Sequence, residues 1–385
     1  MRRVWWPLIL IVLLWTVGAA VRSGRAEQAR STNPPIPSAA STPGVGVAPP
    51  TQAAAAQVFR ADEVEAAART LPRLHSLIVS RRGQVVFEGY YNGTRRDRPA
   101  NIKSASKSVI SALVGVALDR ALIPDVRTPI LTYFAELARD ADSRKREINV
   151  EHLLMMRPGL EGTSGRNYGA WVTSRNWVRH ALARPMFAAP GDEMEYSTGN
   201  THLLSAILTT ATGKSTLQFA NEVLAKPLGF TLAPWPRDPQ GVYFGGNDML
   251  MTPRQMLAFG ELYRNGGRAN GQQILSSAWV DRSCEGRARN RRSGNPAFDP
   301  SGGVDPMRDR RYGYGWWVHE IGDYEACFAW GYGGQYIFVL SELDLVLVTT
   351  SSPDVSEERR GHRRTVFDIL ERLVVAPLAA SAATR

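Results

Sequence analysis

Lysine is the residue this chain does without: of its 46 basic side chains only five are Lys, at 103, 107, 145, 214 and 226, and the rest are Arg. Arginine keeps its proton at any useful pH, so the chain has few positions for a basic group that can become neutral. Cysteine is nearly as scarce. Cys284 and Cys327 are the only two, and neither C-x-x-C nor H-E-x-x-H occurs, which leaves a metal site without support. One disulfide and two buried thiols fit that pair equally well. The six histidines, at 75, 152, 180, 202, 319 and 362, show no metal-ligand spacing. No G-x-S-x-G pentapeptide is present, which excludes the nucleophile elbow of an α/β-hydrolase. Gly213-Lys214-Ser215 is the tail of a P-loop whose leading position, 208, is Leu. No metal and no other cofactor is expected.

Charge of one sign is not extreme either. Charged residues make up 21% and hydrophobic ones 44% of the 385, the proportions of a soluble globular protein with a substantial core. Of the net +10, four charges are Arg2, Arg3, Arg22 and Arg25, so +6 remains beyond residue 26. The basic clusters at 287–292 and 359–364 carry no nucleic-acid motif, and a nucleic-acid partner is not expected; anionic envelope polymers or lipid would suit them as well. Long apolar runs are confined to the start. Met1-Arg2-Arg3 is a positive n-region, and Val4 to Val21 is uncharged, with Trp5, Trp6 and Trp15 inside it. Its length lies between a signal-peptide core and a spanning helix. Residues 1–26 therefore read as a signal peptide cut near Ala26 or as an anchor over residues 4–21. Either would export the body to the periplasm or cell envelope. Residues 27–56, rich in Ala, Pro, Ser and Thr, cannot bury a core and read as a disordered linker.

The body shows two periods. Gln57 to Thr70 predicts an amphipathic helix, and Ser76–Ser80 and Val85–Tyr91 around Arg81-Arg82-Gly83-Gln84 predict a hairpin. Helices follow at Ile148–Met156, Asn176–Leu182, Thr198–Thr212 with Gly213 as its stop, Leu217–Leu224, Pro253–Asn265 and Ala278–Asp281. Antiparallel strands are predicted at Tyr312–Val318, Tyr324–Ala329, Gln335–Ser341 and Leu343–Thr350, and a closing amphipathic helix at Arg364–Val375. The early hairpin needs partners, and the simplest packing joins it to the late strands in one sheet. The expected fold is α+β: an antiparallel sheet flanked by N- and C-terminal helices, with an inserted helical lobe. Residues 57–100 and 235–385 would form the α/β lobe, and 101–234 the helical lobe carrying the nucleophile.

Chemistry concentrates in three stretches. The first, Asn101 to Leu118, reads from Ser104 onward as a buried helix. Ser104 and Lys107 lie one turn apart on one face in an S-x-x-K arrangement, the only one in the chain. A serine hydroxyl needs a neutral acceptor for its proton, and burial at the positive end of a helix disfavours an ammonium. The Ser104 N–H at that helix start could also meet a developing oxyanion. The second is Tyr196-Ser197-Thr198-Gly199-Asn200, where a tyrosine at a helix start could shuttle a proton if a cation lowers its pKa; an interior tyrosine with a satisfied hydroxyl is the plainer alternative. The third is Ala329-Trp330-Gly331-Tyr332-Gly333-Gly334-Gln335-Tyr336, glycines at a strand edge that allow close backbone approach or simply a hairpin turn.

In order and spacing these stretches resemble the serine β-lactamase and penicillin-binding superfamily, most of all its esterase and nylon-oligomer hydrolase branch. The resemblance runs from about 57 to 377. It includes Met155-Met156-Arg157-Pro158-Gly159-Leu160, Lys226-Pro227-Leu228-Gly229 and Met251-Thr252-Pro253-Arg254. It implies the β-lactamase/transpeptidase-like fold, Ser104 as the acylated nucleophile, Lys107 as base or electrostatic partner and Tyr196 as proton shuttle. Gly331 falls on the glycine of the third motif, so the N–H of Tyr332 would complete an oxyanion hole with that of Ser104. Trp330, Gly331, Thr198 and Asn200 are implied as substrate contacts.

The chain also departs from the family pattern. Ala329-Trp330-Gly331 stands where penicillin-recognising enzymes have Lys-Thr-Gly, and Tyr196-Ser197-Thr198 replaces Tyr-x-Asn. Without that lysine and hydroxyl an anionic substrate loses charge-assisted contacts. The expectation is an exported serine hydrolase acting on a small or peptide-like, neutral or hydrophobic ester or amide. A β-lactamase or D,D-peptidase is the alternative within enzymes, and a non-catalytic envelope-binding protein the alternative outside them.

Overall fold

The hairpin comes out as the β-branched runs predict, with Leu74–Arg81 (β1) and Gln84–Tyr90 (β2) turning on Arg82-Gly83, both at positive φ. The computed structural model describes residues 60–289, 310–356 and 359–383. The leader at 1–26, the linker at 27–56 and the first residues of the helix expected from Gln57 lie outside them, as does part of the basic cluster at 287–292. Among the described residues no helix is long and apolar enough to cross a membrane.

Six two-residue strands come next: β3 (Ala100–Asn101), β4 (Leu250–Met251), β5 (Arg268–Ala269), β6 (Gln272–Gln273), β7 (Ala288–Arg289) and β8 (Arg311–Tyr312). Then come β9 (Trp317–Ile321), β10 (Tyr324–Gly331), β11 (Gln335–Leu340) and β12 (Leu345–Ser351). The main sheet is antiparallel with order β2-β1-β12-β11-β10-β9-β8-β7, so the early hairpin does join the late strands. Every residue of β11 and β12 is buried, as a strand covered on both faces requires. The last helices cover one face, where Phe367 packs edge-on against Phe328, Tyr336 and Phe338. The helix Pro253–Arg264 covers the other, so closely that a β-carbon on Gly260 would stand 2.7 Å from Val346 and 2.8 Å from Ile337.

Several elements differ from the sequence pattern. The helix expected from Ser104 begins as a 3₁₀ turn, Lys103–Ala105, and becomes α-helical only over Ser106–Asp119. The Asn101 side chain accepts the Lys103 N–H at 2.9 Å and Lys103 takes φ +50°, which delays the α-helical ladder by one turn. The strand expected at Tyr312–Val318 is cut into β8 and β9 by a bend at Gly313-Tyr314-Gly315, whose Tyr314 and Gly315 carbonyls accept the hydroxyls of Ser111 and Ser108. The helix Val150–Leu154 is shorter than the expected Ile148–Met156, because Met156 turns to φ +58°. The closing helical segment is longer than expected: Arg359–Asp368 continues through a π-helical stretch, Ile369–Val375, into Ala376–Ala383.

Ser106–Asp119 is buried from Ser106 to Ala117. Val109, Ile110, Leu113, Val114 and Val116 are each at most 2% exposed, and each such side chain contributes about 1.5–3 kcal/mol of transfer free energy. A helix with no solvent face is a rigid mount. The ladder between β3 and β4 ties its leading segment to the 248–251 segment, across the boundaries drawn in the sequence at 101 and 235. The cysteines are bonded: Cys284, ending the helix Ser277–Cys284, joins Cys327 of β10 across a Cα separation of 5.4 Å. Replacing both by Ser frees a 43-residue span in the unfolded chain and should lower the unfolding free energy by about 2–4 kcal/mol, read from the urea midpoint. An unmoved midpoint would show that the bond adds nothing to the fold.

Candidate active site

Ser104 sits in the 3₁₀ turn and Lys107 in the first turn of the α-helix, which brings Lys107 Nζ to 3.0 Å from Ser104 Oγ. Two further contacts complete the surroundings of the amine: the Gly246 carbonyl at 2.6 Å and Thr198 Oγ1 at 3.2 Å. All three partners are uncharged, and no carboxylate among the described residues pairs with this nitrogen. With Lys107 1% exposed, loss of hydration pulls its pKa down to about 7, against a smaller upward pull from the Asp248 charge. A neutral amine has two N–H groups and one lone pair. Donation to Gly246 and Thr198 leaves the lone pair for the serine hydroxyl.

Lys103 has the opposite environment. Its amine, partly exposed, pairs with Asp248 at 3.0 Å, and Asn101 donates to the same oxygen at 2.8 Å. Of two lysines four positions apart, one is thus ion-paired and partly exposed and the other buried among neutral groups.

Thr198 is presented by the start of the helix Thr198–Thr212. A loop distant in sequence supplies its caps: Ser164 Oγ accepts the Thr198 N–H at 2.9 Å, and Thr163 Oγ1 accepts the Gly199 N–H at 2.8 Å. Ser164 Oγ is also 2.9 Å from Thr198 Oγ1, so the threonine hydroxyl is fixed from both sides. Tyr196, just ahead, lies with its ring centroid 4.9 Å from Lys107 Nζ and its phenol within hydrogen-bonding reach of the Ser104 hydroxyl. The ring stacks on Trp317 at 5.5 Å and meets Tyr312 edge-on at 6.1 Å. The sequence reading required a cation to lower this phenol. Burial instead drives its pKa upward, and the Ser104 hydrogen bond and the Arg310 charge offset only part of that. Tyr196 therefore remains a protonated donor at neutral pH.

Opposite the nucleophile turn runs the end of β10. Pairing with β9 stops at Phe328↔Trp317, while pairing with β11 continues to Gly331↔Gln335. Gly331 abuts the segment feeding Ser104: a β-carbon there would stand 2.1 Å from the Ile102 carbonyl oxygen. Trp330 lies parallel to Tyr336 at 6.3 Å. The Arg310 guanidinium lies 4.8 Å from the Trp317 ring and 5.1 Å from that of Trp330, with Arg363 at 5.9 Å from Trp330. Tyr332, 37% exposed, lies in the β10–β11 turn.

Of the residues singled out from sequence, Ser104, Lys107, Tyr196 and Thr198 meet directly. Gly331, Trp330 and Tyr332 form the adjoining edge. Thr198 stands beside the lysine amine rather than as a bare substrate contact. Asn200 does not join the group; it is 4% exposed, with its amide directed to the Met156 sulfur at 3.6 Å. Neither the Gly246 carbonyl nor Ser164 was legible from residue identity. A backbone acceptor leaves no trace in residue identity, and Gly245-Gly246 is the one cue to close approach there. A separate groove of about 550 Å³, lined by Lys103, Asp248, Trp235 and Leu250 among others, lies beside the Lys103 ion pair.

Comparison with known proteins bears on the family and the fold. A family model described as Beta-lactamase matches residues 73–371. The 6-aminohexanoate-dimer hydrolase of Paenarthrobacter ureafaciens is 24% identical over 302 residues, 74% of each chain. A penicillin-binding protein homologue from Caulobacter crescentus superposes with a TM-score of 0.64 at 17% identity, covering 85% of this chain and 98% of that one. EstCE1, a hydrolase with promiscuous acyltransferase activity, superposes with a TM-score of 0.61 at 17% identity, covering 81% and 99%. At these identities the two structures show the fold, the β-lactamase/transpeptidase-like one.

The buried amine makes stability depend on pH. Between about 7 and the ordinary lysine value of 10.5, Lys107 is neutral in the folded protein and protonated in the unfolded one. The unfolded state then holds more protons, so this group's contribution to stability rises with pH across that window and is least favourable below 7. Lys107→Met should accordingly be more stable than the wild type at pH 6, by a few kcal/mol, with the gap narrowing by pH 9 in urea unfolding. A gap independent of pH would place the lysine pKa outside this range.

Proposed function

Because the chain belongs to the Beta-lactamase family, its family model spanning residues 73–371, we propose that it is an exported serine hydrolase that cleaves ester or amide bonds through an acyl-enzyme on Ser104. The observation that carries this reading is the 3.0 Å contact between the Ser104 hydroxyl and an amine buried among neutral partners. Lys107 accepts the hydroxyl proton while Oγ bonds to the substrate carbonyl carbon. The backbone N–H groups of Ser104 and Tyr332 receive the negative oxygen. On collapse the C–O or C–N bond breaks, and the leaving atom takes a proton from the Tyr196 phenol. Water then attacks the acyl carbon and gives a proton to the Tyr196 phenolate, and the C–Oγ bond breaks as Lys107 returns its proton to the serine oxygen, which releases the acid and restores all three groups. The raised phenol and the lowered lysine divide these roles: the amine is the first base and the phenol the acid.

Substrate class follows from what lines the site. Ala329 and Trp330 offer neither ammonium nor hydroxyl at the strand edge, Trp330 and Tyr332 supply aromatic surface, and Arg310 lies against indole faces. A neutral or hydrophobic ester or amide fits this lining. The relatives named for hydrolysis of an aminohexanoate dimer and for hydrolase and acyltransferase activity support the same class. Export rests on the leader composition and gains support from the Cys284–Cys327 bond, which suits an oxidising compartment.

Intact-mass measurement after a fluorophosphonate, and separately after a fluorescent penicillin, should show one phosphonate adduct on wild type, none on Ser104→Ala and no penicilloyl adduct. Adducts with both reagents would assign the penicillin branch, and adducts with neither the non-catalytic binder. For a neutral 4-nitrophenyl ester, log kcat/KM should climb with unit slope to a plateau above about pH 7, as Lys107 loses its proton. Lys107→Arg should lose at least about 100-fold, since its guanidinium cannot accept the proton. A rate within a few-fold of wild type would remove lysine from the base role.

A further inference from the structure

The hairpin turn that carries Tyr332 is held from behind by a chain of polar side chains that the proposed chemistry does not use. The Gly334 carbonyl accepts two hydroxyls, Thr349 Oγ1 at 2.8 Å and Ser351 Oγ at 3.2 Å. Ser351 Oγ is in turn 2.8 Å from His362 Nε2, on the helix Arg359–Asp368. Gln335 ties the same two strands, its amide donating to the Ser351 carbonyl at 2.5 Å and its oxygen accepting the Ser351 N–H at 3.1 Å. Thr349, Ser351, Gln335 and His362 are all at most 3% exposed.

Proton bookkeeping fixes the direction of this chain. Ser351 has one hydroxyl hydrogen, and if it goes to Gly334 the serine oxygen must accept from His362 Nε2–H. Among the described residues His362 Nδ1 has no hydrogen-bond partner, which is tolerable for a bare lone pair. In the reverse arrangement a buried Nδ1–H would be orphaned and the Gly334 carbonyl would lose a donor. Burial pulls the His362 pKa down to about 4, with Arg73 and His75 adding to the effect, in keeping with a neutral ring. There is no slack in the turn. Gly334 takes φ +111°, and a β-carbon on it would stand 2.7 Å from His362 Nε2 and 2.9 Å from Ser351 Oγ. On the other side Gly331, three residues earlier, abuts the Ile102 carbonyl oxygen.

We propose that Ser351 and His362 are positioning residues, which hold the Gly334 carbonyl so that the turn presents the Tyr332 N–H to the reacting carbonyl oxygen. The catalytic half of this inference rests on the acyl-transfer reading above; the conformational half does not. The variants are Ser351→Ala, His362→Leu and His362→Gln, the last keeping an amide donor near Nε2. With the neutral ester, Ser351→Ala and His362→Leu should lower kcat about 10- to 100-fold with KM within two-fold, short of the ~10²–10³ for losing a donor outright. His362→Gln should stay within about three-fold of wild type. Amide hydrogen exchange should quicken across residues 331–336 in the first two variants and not in the third.

Unchanged exchange in that segment for Ser351→Ala and His362→Leu would overturn the positioning role, whatever the enzyme does. Faster exchange with unchanged kcat would overturn its catalytic consequence. A glutamine no better than leucine would reduce His362 to a space-filler. If Ser351→Ala fails to fold, the leucine and glutamine pair at 362 decides alone. A wild type that takes no fluorophosphonate on Ser104 would reject the acyl-enzyme reading and the catalytic half with it, while the exchange result still decides the conformational half.

Discussion

Everything in this site depends on placing an amine where water cannot reach it and no anion meets it. In water the Lys107 nitrogen would hold its proton three units above neutrality; enclosed by a carbonyl and two hydroxyls, it is balanced near pH 7. A carboxylate in place of either Gly246 or Thr198 would restore the ammonium. Asp248, two residues from Gly246, comes near enough to pull the amine slightly upward, yet it is engaged by Lys103 and Asn101. The ion pair beside the site therefore helps keep the site itself uncharged.

Burying an ionisable group costs stability, and the surrounding fold shows how that cost is tolerated. The lysine rides on a helix buried on every side, and its acceptors come from two other elements: the capped start of Thr198–Thr212 and the loop at Gly246. None can shift without disturbing close-packed neighbours. The capping of Thr198 and Gly199 by Ser164 and Thr163 does double work, since the hydroxyl that completes the helix end also orients the threonine beside the amine. Structural and chemical demands meet at the same atoms.

The strand side follows the same logic with different parts. β10 approaches the nucleophile segment through a glycine because nothing larger fits, and the turn beyond it is fixed by side chains reaching over from β12 and the last helical segment. The early hairpin and the late strands thus share one sheet, and the last helical segment contributes to the geometry of a site formed mainly by residues far from it in sequence.

Residue identity alone carried a good part of this. Alternating and continuous apolar runs gave the hairpin, the late strands and Thr198–Thr212 with its Gly213 stop, because burial patterns of period two or 3.6 are local properties. Ser104 and Lys107 were legible as a pair because three positions on a helix define a face. The scarcity of lysine pointed to position 107 without explaining position 103. What only the tertiary structure decided were matters between distant segments: that Lys107 is buried and Lys103 paired, that Gly246 offers its carbonyl, that Asn200 turns to Met156, that the cysteines are bonded, and that burial outweighs the Arg310 charge at Tyr196. A pKa is set by the whole surroundings of a group and a backbone acceptor has no side chain to announce it, so neither is written in the residues that bear them.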